Sequence, residues 1–419
     1  MSKADSENSL DWLGLATIWF GGMVSVPSLF IGSTLIAGLS FTEVLLAGLV
    51  GFSVVAGFMS LESVAAVDQR RNTVELASSA FGRSGANLVL GLALGLSLLG
   101  WFGVQAAVAG ASFARILKMS FAQVVPASGA SLLMGLLMML TAVFGFRHVK
   151  WLNFIGVPCK MALLAYAMVV AFQSHSWAVI TQYRPAPEHR IDMLTAIGLC
   201  IGFFSVGGVV SPDYARHART RRDAILGSVL GLLPSAMGMA ACGAILAVIQ
   251  QTYDIVEIYA RMGMPVLALS ILILAAWTTN VMNAYSSGLA LNGLLHWPAT
   301  RRRTATLIAG VMGSLLAASG ILDHFTNFLM LLTATVPPVA GVIVCDYWLA
   351  RSYRADEAQR RPWQAQGIAA WVCGVAATLL LSHPIRSIVG IVVAAAVFYL
   401  LTALQQPRGS GREWRSPSS

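Results

Sequence analysis

Charge is what this sequence has least of. Of 419 residues only 11% are Asp, Glu, Lys or Arg, where a soluble domain carries roughly a quarter; 57% are hydrophobic, with a mean hydropathy of +0.73. So little charge cannot cover a soluble body of this size, and the chain reads as an all-α polytopic membrane protein. Catalytic signatures are missing as well. The seven histidines, His148, His175, His189, His217, His296, His324 and His383, fall in loops or near helix ends. Neither H-E-x-x-H nor G-x-S-x-G occurs, which excludes metalloprotease and serine-hydrolase sites of those types, and no enzyme is expected. Cys159, Cys200, Cys242, Cys345 and Cys373 sit in apolar segments without metal-ligand spacing, so no disulfide framework and no bound cofactor are expected. The formal charge of +9 would suggest nucleic acid in a soluble chain. In a membrane protein basic loops report topology instead, and the expected partner is the lipid bilayer, not nucleic acid.

A spanning helix needs about 20 mainly apolar residues. Such stretches lie near 13–38, 43–66, 86–113, 126–146, 151–173, 193–215, 223–250, 264–292, 304–320, 325–349, 364–382 and 386–404, here called spans 1 to 12. With both termini inside, the inner loops and tails hold twenty of the 27 Lys and Arg, the outer loops six, and only Lys160 lies within a span. That bias predicts an inner (plasma) membrane protein with cytoplasmic ends. The polar residues 1–11 form an N-terminal tail before a full-length span, unlike a cleaved signal peptide, and 406–419 form a C-terminal tail.

The stretch that organises the reading is IGLCIGFFSVGG in span 6. Two adjacent glycines there, Gly207 and Gly208, cost roughly 2 kcal/mol relative to two alanines in a helix interior. Backbone freed in hydrocarbon must find partners inside the protein. A break within Phe203–Gly208 therefore predicts a cavity; the plainer alternative is a glycine-lined helix contact. Span 1 reads WFGGMVSVPS, and Pro27 removes a backbone donor in mid-span. Interruptions in spans 1 and 6, five spans apart, predict two five-helix repeats of opposite orientation. Repeat one is 12–173 and repeat two 193–350 within a core of 12–350, with spans 11 and 12 (351–405) outside it. In span 8, WTTN places the hydroxyls of Thr278 and Thr279 side by side. They are candidate oxygens for a monovalent cation such as sodium, or simply bond back to their own helix.

WFGGMVSVPS, GWFGV at 100–104, GFFSVGG with Asp213 beyond it, WTTN with Asn283, and VPPVAGVIVCDY at 336–347 occur in this order. Together they resemble the nucleobase:cation symporter family, closest to its bacterial cytosine permease branch, over most of the chain. The resemblance implies the five-plus-five fold, alternating access, and import of a nucleobase or related heterocycle driven by sodium. By position it implies that Trp101 and Phe204 sandwich a flat ring while backbone around Phe203, Phe204 and Ser205 bonds its edge. For sodium it implies side-chain ligands Thr278 and Thr279 and main-chain ligands Gly21, Val24 and Ala275.

Some family positions differ. Ala275 stands where cytosine permeases have a base-reading asparagine, Val206 replaces a serine, and Ser25 replaces an aromatic ring. A site lacking a buried polar reader discriminates against its ligand. Cytosine itself is therefore doubtful, and a substituted pyrimidine, a purine or a thiamin-precursor pyrimidine fits as well. Ser25, Gln105 and Asn283 are the polar side chains able to replace the lost readers. An ammonium in mid-span costs roughly 3 kcal/mol or more, so Lys160 is a candidate coupling group for proton-driven transport. Alternatively, it snorkels to the interface or pairs with Glu62. A passive channel is the remote rival.

Overall fold

The computed structural model describes residues 9–144, 149–351, 362–381 and 386–405. All named elements within them are helices. Span 1 is α1a (Trp12–Met23) and α1b (Val26–Ile36). Then come α2 (Phe41–Gln69), α3 (Arg83–Phe121), α4 (Ala127–Phe144), α5 (Val149–Ser174), α6 (Met193–Val209), α7 (Arg221–Gln250), α8 (Pro265–Leu294) and α9 (Arg302–Ala318). Span 10 is α10a (Phe325–Thr335) and α10b (Pro337–Cys345), and α11 (Ala365–Leu380) and α12 (Arg386–Gln405) close the chain. Helix thus fills each of the twelve sequence segments. Among the described residues eight helices are long and apolar enough to cross a membrane, or nine with α1a and α1b taken as one span.

Span 1 is interrupted as expected, by a 63° bend between its halves. Val24 (φ −75°, ψ 79°) and Ser25 (φ −141°, ψ 163°) leave the helical region, and Pro27 sits in the first turn of α1b, where its missing N–H costs nothing. In span 6 the interruption falls later than the sequence placed it. Helix α6 runs unbroken through Phe203–Gly208, turns at Val210 and Ser211, and resumes as the short helix Pro212–Ala215. The glycine pair is used for contact instead. A Cβ on Gly208 would stand 2.3 Å from the Phe58 ring of α2, and one on Gly207 would stand 2.5 Å from the Phe204 ring. Neighbouring rings fill the space two side chains would have taken, and the helix is held by packing despite its poor propensity.

The contacts exchange as two five-helix repeats require. Helix α1b packs on α7, and correspondingly α6 packs on α2; α3 meets α4 as α8 meets α9, while α3–α8 and α4–α9 pair with their own counterparts. The glycines follow the same rule. Gly32 and Gly243 bring α1b and α7 into backbone contact, and Gly51 does so for α2 against α6. Gly110 admits Ser131 of α4, and Gly288 admits Thr306 of α9. Without a hydrophobic gain between helices in lipid, such close approach is the main source of association. Helices α11 and α12 pack on each other and on α10b, outside the exchange.

Candidate functional site

Where the break in span 1 faces α3, α6 and α8 lies a cavity of about 190 Å³. Its lining includes Ser25 at the break, Trp101 and Gln105 of α3, Phe203 and Phe204 of α6, and Thr279 and Asn283 of α8. Typical pockets for drug-sized ligands run about 300–1,000 Å³, so this one suits a single small ring. Gly22, Pro27, Val206 and Gly207 also line it.

Six of the seven predicted substrate residues meet here: Ser25, Trp101, Gln105, Phe203, Phe204 and Asn283. Ser205 does not. It is fully buried and its hydroxyl donates to the Gly202 carbonyl at 2.9 Å, because α6 stays helical at this point and frees no backbone for a ligand. The Trp101 ring is held edge-on by Phe203 (5.3 Å between centroids), Phe328 (5.3 Å) and Phe325 (6.1 Å). Phe204 is met edge-on by Trp19 at 6.2 Å. Sequence reasoning missed Trp19, a buried ring whose indole N–H has no partner among the described residues; its signal was its place two residues before the Gly21–Gly22 pair.

The polar groups around the cavity are unequally satisfied. Gln105 is 1% exposed and its Oε1 accepts no hydrogen bond among the described residues. Leaving a buried acceptor unpaired costs about 1–3 kcal/mol, so a ligand that offers an N–H gains there what the empty side chain lacks. Asn283 donates to Asn280 Oδ1 at 3.4 Å, and Asn280 donates to the Phe102 carbonyl at 3.1 Å. That chain fixes the Asn283 amide from the α3 side.

The predicted cation residues are only partly assembled. A second, water-sized cavity of about 20 Å³ is lined by Val24, Ser25, Lys160, Tyr259 and Ala275, among others. Val24 and Ala275 thus come together with Lys160, whereas Thr279 lines the larger cavity and Gly21 neither. Thr278 and Thr279 both donate to the Ala275 carbonyl, at 3.0 and 3.2 Å. This is the back-bonding alternative, and it leaves the hydroxyl lone pairs free to meet a cation. Gly156 of α5 lies against Thr278. Lys160 has no hydrogen-bond or ion-pair partner among the described residues, and the pairing with Glu62 is not formed, since neither Glu62 oxygen has a partner. Ala275, the position of the family's asparagine, belongs to the smaller cavity.

A split first helix, helix contacts exchanged between two halves, and a ring-sized cavity at the meeting of both halves define a polytopic membrane transporter of the inverted-repeat class. Solved structures share the fold: Mhp1 in its inward-facing conformation superimposes with a TM-score of 0.80 at 18% identity, covering 94% of this chain and 92% of that one. Mhp1 in a closed conformation, described as a nucleobase-cation-symport-1 family transporter with bromovinylhydantoin bound, gives 0.75 over 93% and 91%. Residues 3–402 match the family described as permease for cytosine/purines, uracil, thiamine, allantoin. The cytosine permease of Escherichia coli K12 is 27% identical over 391 residues, 93% of this chain and 90% of its own. The chain belongs to this permease family and is a transporter, not an enzyme.

Proposed function

We propose that the protein imports a nucleobase or a related flat heterocycle, in symport with a cation, by alternating access. The observation that carries the substrate class is the Gln105 amide, buried and short of a partner, in a ring-sized cavity beside Trp101 and Phe204. Two aromatic faces stack on any planar base, and Gln105 and Asn283 read ring N–H and carbonyl edges. The bound hydantoin of the closed Mhp1 structure is a ligand of this chemistry. Sodium is the proposed driver, held by Val24, Ala275, Thr278 and Thr279. A second reading rests on Lys160 sharing a cavity with Val24 and Ala275: in it the Lys160 amine carries the proton that drives transport. The protein is proposed to sit in the plasma membrane with both ends cytoplasmic.

A melting-temperature screen of purified protein against pyrimidines (thiamin-precursor pyrimidines included), purines, hydantoin and allantoin, with and without sodium, tests substrate class and ion together. At least one of these bases is expected to raise the melting temperature, and more so with sodium; no shift from any of them sinks the reading. In vesicles, uptake must exceed equilibration and collapse with the ion gradient, whereas a channel only equilibrates. Thr279→Ala is expected to weaken sodium-stimulated uptake more than residual binding. Equal uptake at every sodium concentration removes Thr279 from the cation site. Lys160→Gln with unchanged pH and sodium dependence removes the second reading.

A further inference from the structure

Glu62 lies in α2, seven residues before the helix ends at Gln69, about 10 Å inside that end. It is 0% exposed, and neither carboxyl oxygen has a hydrogen-bond partner among the described residues. One turn earlier on the same helical face, the Phe58 ring sits against Gly208 of α6. On the adjoining face Ser63 bonds to Ser211, at the turn ending α6, and to Ser228 of α7, both at 3.2 Å, while Ser211 also donates to the Met59 carbonyl. Glu62 is thus clamped where α2 closes against the end of α6.

Charged groups on the elements packed around α2 do not serve it. Arg221 of α7 pairs with Asp68 at 2.7 Å, and Asp223 accepts from Thr220 and from the Trp12 N–H. Asp213 accepts from the Thr73 N–H, Glu75 from the Asn72 N–H, and Asp346, after α10b, from the Ser79 hydroxyl. Arg222 is exposed. Helices α1b, α6 and α10b and the short helix Trp177–Thr181 carry no Asp, Glu, Lys, Arg or His at all; the thiols and phenols on the elements packed against α2 are Cys200, Tyr214, Cys242 and Cys345, and Tyr347, beyond α10b, donates to Asp68. An ionised carboxylate cannot be held in such a place without a counter-charge or donors.

We propose that Glu62 is a proton-binding site of the folded protein, holding its proton in the packing described here and giving it up to water only when that packing opens. The site takes a proton and no larger ligand, because both oxygens are enclosed by protein. It is separate from Lys160, which lines the small cavity beside α1 and α8. The sign of the pH effect follows from proton linkage: the folded packing binds one proton more than the unfolded chain, so rising pH disfavours it.

The test uses the purified full chain and needs no knowledge of the substrate. Melting temperatures of wild type and Glu62→Gln are compared from about pH 6 to about pH 9. The carboxamide mimics the protonated acid but cannot ionise, so the wild type is expected to lose melting temperature with rising pH relative to the variant. A wild-type-minus-variant difference that stays constant across the range overturns the proposal. Should Glu62→Gln fail to fold, the infrared carbonyl band of a protonated carboxylic acid in the wild type at neutral pH decides. Its presence without a shift toward hydrogen-bonded frequencies supports the site, and its absence overturns it.

Discussion

Trp101→Ala is expected to weaken binding of whichever base the melting screen identifies by about 10- to 100-fold, from a stacking contribution of roughly 1–3 kcal/mol per base. The expectation rests on how the ring is held. Phe203, Phe325 and Phe328 all meet it edge-on within 6.1 Å, so the indole is fixed before a ligand arrives and little rotamer freedom is lost on binding. Its backing is close: a Cβ on the preceding Gly100 would stand 2.1 Å from the Phe328 ring. Trp101→Phe keeps a π face and should lose only a few-fold, of order 1 kcal/mol. Direct binding of a labelled base to the two variants checks this. Unchanged affinity in Trp101→Ala would show that the ring serves only the core.

Gly32→Ala is expected to have the larger effect on the fold. The added methyl would stand 2.0 Å from the Ala240 carbonyl oxygen and 2.9 Å from its Cα, so a backbone, not a flexible side chain, would have to yield. Gly243 makes the reciprocal approach to Leu29, at 2.1 Å, and the two glycines seat α1b on α7 from both sides. Overpacking of this kind costs about 1–3 kcal/mol, with the upper end expected because neither helix can move without the other. Loss of folded protein in detergent, or a clear fall in melting temperature, is the measurement. Gly21→Ala is the control: nothing lies within 4 Å of its added carbon and alanine favours helix over glycine, so the same substitution in the same span should not lower stability. Equal melting temperatures for Gly32→Ala and wild type would mean that the α1b–α7 contact is looser than described.

Much of the site was legible through the family resemblance, which put Trp101 and Phe204 at a planar ligand and marked Ser25, Gln105 and Asn283 as polar side chains able to replace its missing readers; all five line the cavity. Ser205 stands apart from the cavity for a local reason. Two glycines weaken a helix in isolation, but whether they break it depends on what fills the space beside them, here Phe58 and Phe204. Trp19 escaped notice because an aromatic ring in an apolar span looks the same whether it meets lipid, core or site. The threonine pair of span 8 bonds back to the Ala275 carbonyl, yet Ala275 lines the smaller cavity, Thr279 the larger and Thr278 neither, a division set by which side of α8 each neighbour approaches.

By itself the amino-acid order determined the helical membrane class, the twelve apolar segments and the interruption in the first of them. Each of these follows from short-range causes: the length of an apolar run against the thickness of a bilayer, and a proline without an N–H. The tertiary structure alone decided that the glycines of span 6 are a contact and not a gap, that Lys160 stands with Val24 and Ala275 while Glu62 is sealed without a partner, and that Gln105 is left short of a hydrogen bond. Those outcomes are set by residues more than a hundred positions apart meeting in space, and no local pattern encodes which of them will meet.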